Sequence, residues 1–329
     1  MMKAYVVERA GGPEVLELRD VPSVAPKSDE VRIRVRAFGI NRGEIYLRAG
    51  KLGPIDAPRV PGIEAVGEVL DDPSGAFRFG ERVATAMGGL QFTRAGSYAE
   101  EVTVLASNVV SLEGTRLPWD QLAALPQAYL TAWGALHRSL QIEAGQTLLV
   151  RGATSSVGLA AVTYAKASGV RVFASTRSKE HAERLYGAGA DVVIVDKGAI
   201  AEQVRDAHPA GVDAALEIVG AATLRDTAKT LRPFGAITVI GLLGGPPVFE
   251  QFNLITDLAP ASRLSFFPSQ LFGTDVLPLT NAPLKSLALD VENRRIPSHL
   301  AKVFAFDEVR EAHRMVESSR EPGKIVVRL

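Results

Sequence analysis

The stretch TLLVRGATSSVGLAAVTYAKASGVRVFAST, residues 147–176, decides the fold, because it predicts a strand, a tight loop, a helix and a second strand. Gly152 can form the sharp turn out of the first strand, and Gly158 lies where a missing Cβ lets helix and strand pack closely. The side chains between them are small, so backbone N–H groups at the helix N-terminus are open to a phosphate, and we expect the serine hydroxyls to add donors. We predict a phosphate-binding loop made of Gly152, Thr154, Ser155, Ser156, Val157 and Gly158; the alternative is an ordinary strand–helix turn capped by serine.

The regions around this stretch predict an α/β protein with two domains. Strand-like and helix-like segments alternate from about residue 125 to residue 245, which predicts a doubly wound parallel sheet with helices on both faces. The first 113 residues instead contain short strands separated by Gly/Pro turns, which predicts an antiparallel, barrel-like domain. We expect a substrate domain over 1–124, a cofactor domain over 125–259, and a return segment over 260–329 that completes the first domain, with the site in the cleft at their junction.

Composition excludes several functional classes. Lys+Arg and Asp+Glu both number 37 in 329 residues, so no net charge favours nucleic acid or a membrane surface as a partner. The chain has no cysteine, which excludes disulfides and thiolate zinc sites. No signal peptide and no apolar run long enough for a bilayer is visible, and the expected location is cytoplasmic.

The end of the second strand, VFASTRSKE, indicates which dinucleotide the loop would bind. A site for NAD usually has an acidic residue here to accept from the ribose 2′-OH, but this chain has no acid before Glu180. Ser175, Arg177 and Ser178 suit a 2′-phosphate instead, since a guanidinium pairs well with its oxygens. We predict NADPH as the cofactor; the alternative is that Arg177 is a solvated surface charge.

The order of motifs along the chain adds a family resemblance. GINRGEIYLRAG, PGIEAVGEV, GSYAEEVTV, ALPQAYLTAWGAL, GATSSVGLAAV and LRPFGAITVIGL occur from the first domain into the second, and the chain ends with GKIVV followed by two residues. The whole chain resembles the medium-chain dehydrogenase/reductase superfamily and, within it, the zinc-independent quinone oxidoreductase branch. The resemblance implies a GroES-like β-barrel substrate domain and a Rossmann cofactor domain. Zinc-dependent relatives carry Cys and His where this chain has Asn41 and Ile63, so no metal is expected.

The resemblance also implies roles for individual residues. Tyr46 and Asn41 would line the cleft near the nicotinamide as catalytic residues, although Tyr46 could equally be a packing aromatic. The family's tyrosine after the third strand is replaced by Asp196, and Glu64 is assigned to structure. Further cofactor contacts would come from Thr131, Gly220, Gly241, Leu242 and Arg320, for which local structural roles are the alternatives.

These observations predict an NADPH-dependent, metal-independent enzyme that reduces quinones or α,β-unsaturated carbonyl compounds by hydride transfer. The alternatives are an enone or enoyl-type reductase with one specific substrate, and a non-catalytic NADPH-binding protein. Phe266, Phe267 and Phe272 are candidate walls of the acceptor pocket, with burial in the core as the alternative. We also expect a homodimer paired through the region of the fifth strand and the segment LLGGPPVFEQF.

Overall fold

The structure is a computed structural model that describes residues 1–319 and 321–329. The chain divides into two compact units, one made of residues 1–130 and 270–329 and the other of residues 131–269. Both boundaries lie later in the chain than the expected positions at 124 and 259. No helix in the described part of the chain combines the length and apolarity needed to span a membrane.

The elements are numbered here in chain order. The strands are β1 Met2–Val6, β2 Glu17–Val21, β3 Glu30–Gly39, β4 Glu64–Asp71, β5 Arg82–Ala86, β6 Glu101–Leu105, β7 Val110–Ser111, β8 Thr147–Arg151, β9 Arg171–Thr176, β10 Val192–Val195, β11 Val212–Glu217, β12 Leu231–Val239, β13 Arg263–Phe266, β14 Leu300–Ala305 and β15 Lys324–Arg328. The α-helices are α1 Arg42–Arg48, α2 Trp119–Ala123, α3 Pro126–Trp133, α4 Ser156–Ala167, α5 Ala182–Ala188, α6 Ala201–Ala207, α7 Ala221–Lys229, α8 Leu284–Glu292 and α9 Val309–Ser318. A π-helix over Gly134–Leu140 continues α3, and short 3₁₀ turns occupy Pro13–Val15, Ala106–Asn108, Lys179–His181, Ser269–Leu271, Leu279–Asn281 and Phe306–Glu308.

The first unit is built around a sheet in the order β14-β15-β3-β4-β5-β7, with β6 paired to the N-terminal half of β3. β3 shows why the sequence forms this sheet, since Val31, Ile33 and Val35 are buried while the arginines between them point to the other face. The end strands β14 and β7 do not pair with each other in the described chain, so closure into a barrel is not confirmed. The C-terminal strand β15 pairs with β3, so the last segment of the chain completes this sheet.

The second unit contains a six-stranded parallel sheet in the order β10-β9-β8-β11-β12-β13. Counted from β8, this is the 3-2-1-4-5-6 order of a doubly wound dinucleotide-binding sheet. The strand order reverses between β8 and β11, so the loops after these two strands flank the crevice where ligands of such sheets bind. The predicted phosphate-binding loop follows β8 and lies at this crevice.

The sixth strand bears on two sequence-based expectations. Phe266, a candidate wall of the acceptor pocket, is the last residue of β13, which pairs in parallel with β12. The fifth strand β12 therefore has neighbours on both sides and is not the free edge that was expected for dimerisation. All four residues of β13 are exposed.

Candidate cofactor and substrate site

The loop after β8 combines a glycine turn with a capped helix. Gly152 has a φ of +85°, and a Cβ on Gly158 would lie 2.7 Å from backbone atoms of Ala153. The Ser155 hydroxyl donates to the Gly152 carbonyl at 2.9 Å and accepts from the Gly158 N–H at 3.1 Å. Its hydroxyl therefore caps α4 and is not the extra phosphate donor that was expected. In the described residues no hydrogen bond uses the N–H groups of Ser156 and Val157, which remain available to an anion at the helix N-terminus.

The loops after β11 and β12 bring three predicted cofactor residues together. Gly220 has a φ of +103°, and a Cβ there would lie 2.7 Å from the Gly241 carbonyl oxygen and 3.4 Å from the Leu242 Cα. Gly241 itself packs against the Ile218 backbone, where a Cβ would lie 2.0 Å from the carbonyl oxygen. A side chain at either glycine would push these loops apart, so both glycines allow the close approach of the two backbones.

Thr131, expected at the nicotinamide end, has a buried hydroxyl oxygen with no hydrogen-bond partner in the described part of the chain. A buried hydroxyl without a hydrogen-bond partner lowers the stability of the fold. The large majority of buried polar side-chain atoms in proteins therefore have a partner. This unpaired hydroxyl fits a cofactor that supplies a polar group such as a carboxamide.

The ends of β9 and β10 form an open groove of about 560 Å³. It is lined by Arg177, Ser178, Lys179, Val195, Lys197 and Gln203. None of its three cations takes part in an ion pair with another described residue. The groove therefore combines excess positive charge with the position at which the ribose of a bound dinucleotide is expected. Lys179 and Lys197 were not predicted, although their places just after the two strands could have indicated them.

The other predicted residues near the ribose end have different surroundings. Ser175 is buried, and its hydroxyl accepts from the Gly152 N–H at 3.2 Å, so it connects β9 to the phosphate loop. Ser178 lines the groove and caps the following turn by accepting from the Glu180 N–H. Thr154 lies in the loop and is half-buried. Arg320 lies outside the described residues.

A buried ion network lies beside these loops and was not foreseen from the sequence. Arg151, the last residue of β8, is 0% exposed and forms a bidentate pair with Asp196 at 2.8 and 3.1 Å. It also donates to Asp226 at 2.8 Å and to the Thr227 hydroxyl and the Gly198 carbonyl. Burial raises the pKa of Asp196, but the hydrogen bonds from Arg151 and the Gly198 N–H outweigh it and hold the pKa below its usual value. Asp196 is thus ionised and directed towards Arg151.

The predicted catalytic residues Asn41 and Tyr46 belong to the first unit, at and within α1. The Asn41 amide donates to Glu64 at 2.9 Å and to Glu44 at 3.2 Å, and its oxygen accepts from Lys324 at 2.5 Å. Both ends of its side chain are therefore engaged inside the protein. Tyr46 is half-buried and its ring lies under the Lys51 ammonium at 5.6 Å. Burial, opposed in part by Arg42, raises the pKa of Tyr46, so its hydroxyl remains a proton donor at neutral pH.

Asn41 joins a second buried cluster. Lys324 and Glu64 are both 1% exposed and form an ion pair at 2.6 Å. Glu44, fully buried, accepts from the backbone N–H groups of Asn41 at 3.0 Å and Ile63 at 3.2 Å. Burial raises the pKa of Glu44 to about 7 despite the charge on Lys324. The cluster anchors the start of α1 and thus positions Tyr46 one turn later.

The three phenylalanines expected at the acceptor pocket do not share one environment. Phe266 is 58% exposed on β13. Phe267 is buried in the second unit, and Phe272 is buried in the first. The two buried residues fit the alternative of core packing that the sequence left open.

Comparisons with known protein families match both parts of the chain. Residues 27–114 match the alcohol dehydrogenase GroES-like domain, and residues 156–272 match the zinc-binding dehydrogenase family. A mouse quinone oxidoreductase is 35% identical over 253 residues, which cover 74% of each chain. The chain belongs to the quinone oxidoreductase branch of the medium-chain dehydrogenase/reductase superfamily, as its motifs predicted.

Two other similar proteins bear on the chemistry. A 2-haloacrylate reductase from a Burkholderia species is 27% identical over 336 residues, covering 99% of both chains. A mycobacterial protein solved as a complex with NADPH is 27% identical, has a TM-score of 0.86 and is covered in full. In the described residues, no group of three or more His, Cys, Asp or Glu side chains is arranged to hold a metal ion.

Proposed function

We propose that this protein is an NADPH-dependent oxidoreductase that transfers a hydride to quinones or α,β-unsaturated carbonyl compounds without a metal. The observation that carries the proposal is the cationic groove lined by Arg177, Lys179 and Lys197 beside the phosphate loop. NADH has no group that needs three cations there, whereas the 2′-phosphate of NADPH does.

The residues of the second unit would bind the cofactor in three places. The N–H groups of Ser156 and Val157 would receive the diphosphate at the N-terminus of α4. The groove would hold the 2′-phosphate, with Arg177 as the main partner. The loops at Gly220 and at Gly241 and Leu242 would take the nicotinamide end, together with the Thr131 hydroxyl, which has no partner among the described residues. When bound, NADPH supplies the hydride.

The protein's own contribution to the reaction would be positioning and hydrogen bonding. Tyr46 would donate to the acceptor oxygen as negative charge develops there. Because the amide of Asn41 is engaged with Lys324, Glu64 and Glu44, we assign it to holding the start of α1 and not to contacting the substrate. Its predicted catalytic role would then be indirect.

The acceptor class is supported by the relatives' names. The mouse relative is named a quinone oxidoreductase, and the Burkholderia relative acts on a 2-haloacrylate, whose double bond is conjugated to a carboxylate. Both acceptors can receive a hydride at an electron-poor carbon. A reductase for one specific conjugated metabolite is therefore the second candidate.

NADPH consumption with a panel of acceptors tests the proposal. The panel contains 1,4-benzoquinone, 9,10-phenanthrenequinone, 2-cyclohexenone and 2-chloroacrylate, each assayed with NADPH and with NADH. We expect turnover of at least one acceptor class, with preference for NADPH, and a lower kcat in Tyr46→Phe. Tight NADPH binding without oxidation of any acceptor would contradict the enzymatic function.

We also propose a homodimer formed through β13, in place of the fifth-strand edge that the sequence suggested. β13 pairs only with β12 in the described residues, and its exposed Leu264 and Phe266 lie on this free edge. An exposed apolar edge strand favours pairing with a second copy. Sedimentation at micromolar concentration should give a dimer, and Leu264→Pro, which removes a backbone N–H on the side of β13 away from β12, should shift it towards the monomer. A wild-type monomer would overturn this proposal.

A further inference from the structure

One side of the cationic groove is formed by residues 196–200, a short segment after β10 that is called the groove segment here. Lys197 is exposed and lines the groove, as does Val195 at the end of β10. Asp196, between these two residues, contacts the buried Arg151 instead. Within the groove segment, all of which the structure describes, only Lys197 lines the groove.

Hydrogen bonds to one buried cation hold the chain on both sides of Lys197. Arg151 Nε donates to Asp196 Oδ2 at 2.8 Å, and Arg151 Nη2 donates to Asp196 Oδ1 at 3.1 Å. The same Nη2 donates to the Gly198 carbonyl at 3.0 Å, and the Gly198 N–H donates to Asp196 Oδ1 at 2.8 Å. The residues directly before and after Lys197 are thus both bonded to a side chain that is 0% exposed.

A second carboxylate connects the far end of the groove segment to the same cation. Arg151 Nη1 donates to Asp226 Oδ2 at 2.8 Å, and the Ile200 N–H donates to the same oxygen at 2.8 Å. Arg151 also directly precedes Gly152 in the chain. One side chain therefore connects the start of the phosphate loop with both ends of the groove segment.

The chemistry of this network favours a role in positioning. Desolvation of buried charges offsets much of their attraction, so apolar residues of the same volume often stabilise a fold as well or better. A planar guanidinium, in contrast, directs its N–H groups at fixed angles and restricts the groups that accept from them. A lysine side chain has many rotamers, so the position of its backbone decides whether its ammonium can reach a ligand.

We propose that Arg151 and Asp196 position Lys197 for the 2′-phosphate of NADPH and thereby contribute to the choice of cofactor. This inference rests on the proposed function, which places the 2′-phosphate in the groove. Lys197 contacts the phosphate, whereas Arg151 and Asp196 act through the backbone on either side of it. NADH lacks this phosphate, so its binding does not depend on the network.

The variant Asp196→Asn breaks the network with little change in side-chain size. Both carboxylate oxygens accept hydrogen bonds, so an amide NH₂ at either place faces an N–H of Arg151 or of Gly198. Removal of a negative charge next to Lys197 would by itself strengthen the binding of a phosphate. Weaker NADPH binding in this variant therefore reports lost positioning and not changed charge.

The variant Gly198→Ala disturbs the groove segment without a change of charge. Gly198 has a φ of +110°, which a residue with a Cβ rarely adopts. Apart from its chain neighbours, no heavy atom of the described chain lies within 4 Å of the place that this Cβ would occupy. The alanine therefore strains the backbone next to Lys197 and leaves the side chains of Arg151 and Asp196 unchanged.

Two variants in the second unit are matched controls. Asp191 directly precedes β10, at the end opposite to the groove segment, and accepts from Lys166 at 2.5 Å and from the Val172 N–H at 2.8 Å. Asp191→Asn therefore alters a carboxylate that also has a cationic and a backbone partner. Gly145→Ala matches the glycine variant, because Gly145 precedes β8, has a φ of +85° and has equally open surroundings.

Dissociation constants of NADPH and NADH are measured for these variants, for Lys197→Met, and for Lys197→Met combined with Asp196→Asn or Gly198→Ala. Lys197→Met should weaken NADPH binding about tenfold. Asp196→Asn and Gly198→Ala should each weaken it about threefold to tenfold and leave NADH binding unchanged. Neither should weaken NADPH binding further once Lys197 is replaced, because the positioned ammonium is then absent. Both controls should keep the wild-type ratio of the two affinities.

A merely structural role of the network gives a different result. It predicts equal losses for NADPH and NADH, or losses that are the same with and without Lys197, and either result would make the inference wrong. Stronger NADPH binding in Asp196→Asn, or unchanged NADPH binding in Lys197→Met, would also contradict it. Thermal unfolding shows which variants are folded, and Gly198→Ala decides alone if Asp196→Asn does not fold.

The binding measurements do not depend on turnover, so the inference and the proposed function can fail separately. If the wild type reduces an acceptor with NADPH but the double variants show no coupling to Lys197, the inference is wrong and the proposed function stands. If the coupling is present but no acceptor is reduced, the enzymatic function is wrong and the positioning role stands. If the wild type does not prefer NADPH to NADH, both are wrong.

Discussion

Each of the two units contains a buried cation among carboxylates, and the two cations differ in how many carboxylates they contact directly. In the second unit Arg151 contacts Asp196 and Asp226 directly, with further donors to neighbouring oxygens. In the first unit Lys324 contacts Glu64 and the Asn41 oxygen. Arg151 and Lys324 are each at most 1% exposed. A planar guanidinium with five N–H donors can bridge two carboxylates, whereas an ammonium has three donors at one point.

The consequence appears in the remaining carboxyl group of the Lys324 cluster. Glu44 receives hydrogen bonds from Asn41 and the Ile63 N–H, and burial raises its pKa to about 7. The pKa of Asp196 is instead held below its usual value because of its bonds to Arg151 and Gly198. Asp196 therefore stays ionised at neutral pH, whereas Glu44 changes protonation near neutral pH.

Removal of Arg151 should have the largest effect on stability. Arg151→Met leaves Asp196 and Asp226 without their cation and should lower the free energy of unfolding by about 3–5 kcal/mol. Chemical denaturation measures this loss. Lys166→Met is the control, because Lys166 and Asp191 form a partly exposed surface pair that should contribute no more than about 1 kcal/mol. Equal losses in the two variants would contradict the role assigned to Arg151.

The second prediction concerns pH and the Lys324 cluster. The folded pKa of Glu44 lies above its unfolded value, so its contribution is fully present below about pH 4.5 and is lost as pH rises to about 7. The change should reach about 3 kcal/mol, from a shift of roughly 2.5 pKa units. Glu44→Gln should remove this pH dependence while retaining a side chain that can cap α1.

Denaturation at several pH values between 4.5 and 8 compares the wild type, Glu44→Gln and the exposed control Glu143→Gln. The control should keep the wild-type slope. A pH dependence unchanged in Glu44→Gln would mean that Glu44 is ionised throughout this range.

Removal of metal ions should have the smallest effect. The carboxylates of the Lys324 cluster are already held by an ammonium and an amide, and the sequence contains no cysteine. We expect prolonged chelation to leave activity and Tm unchanged. Loss of activity on chelation, restored by zinc, would contradict the proposed metal-independent reaction.

The two clusters also show how far sequence reasoning extends. The alternation of strands and helices predicted the parallel sheet, and the run GATSSVG predicted the glycine turn and the start of α4, because both depend on local spacing. The pairing of Arg151 with Asp196, 45 residues apart, depends on which strand ends become neighbours. Local spacing does not determine such a contact. An arginine at the end of an apolar strand could nevertheless have indicated a buried cation that needs acidic partners.

The expectations for α1 and β13 also differ from the structure, for reasons that the sequence pattern does not show. Asn41 was assigned to catalysis from its motif, but its partner Lys324 lies 283 residues away, so its engaged amide could not be seen. β13 was missed because its alternating pattern, RLSF, spans only four residues.

The most direct test of the account measures the dissociation constants of NADPH and NADH for the wild type, Arg177→Ala and Arg171→Ala. Arg171 lies at the opposite end of β9 and is the matched control. The wild type should bind NADPH more tightly than NADH. Arg177→Ala removes a charge-assisted contact of about 1.5–3 kcal/mol, so its affinity for NADPH should fall about tenfold to a hundredfold with NADH nearly unchanged. A wild type that prefers NADH, or an Arg177→Ala protein that weakens both cofactors equally, would contradict the assignment of the cationic groove to the 2′-phosphate.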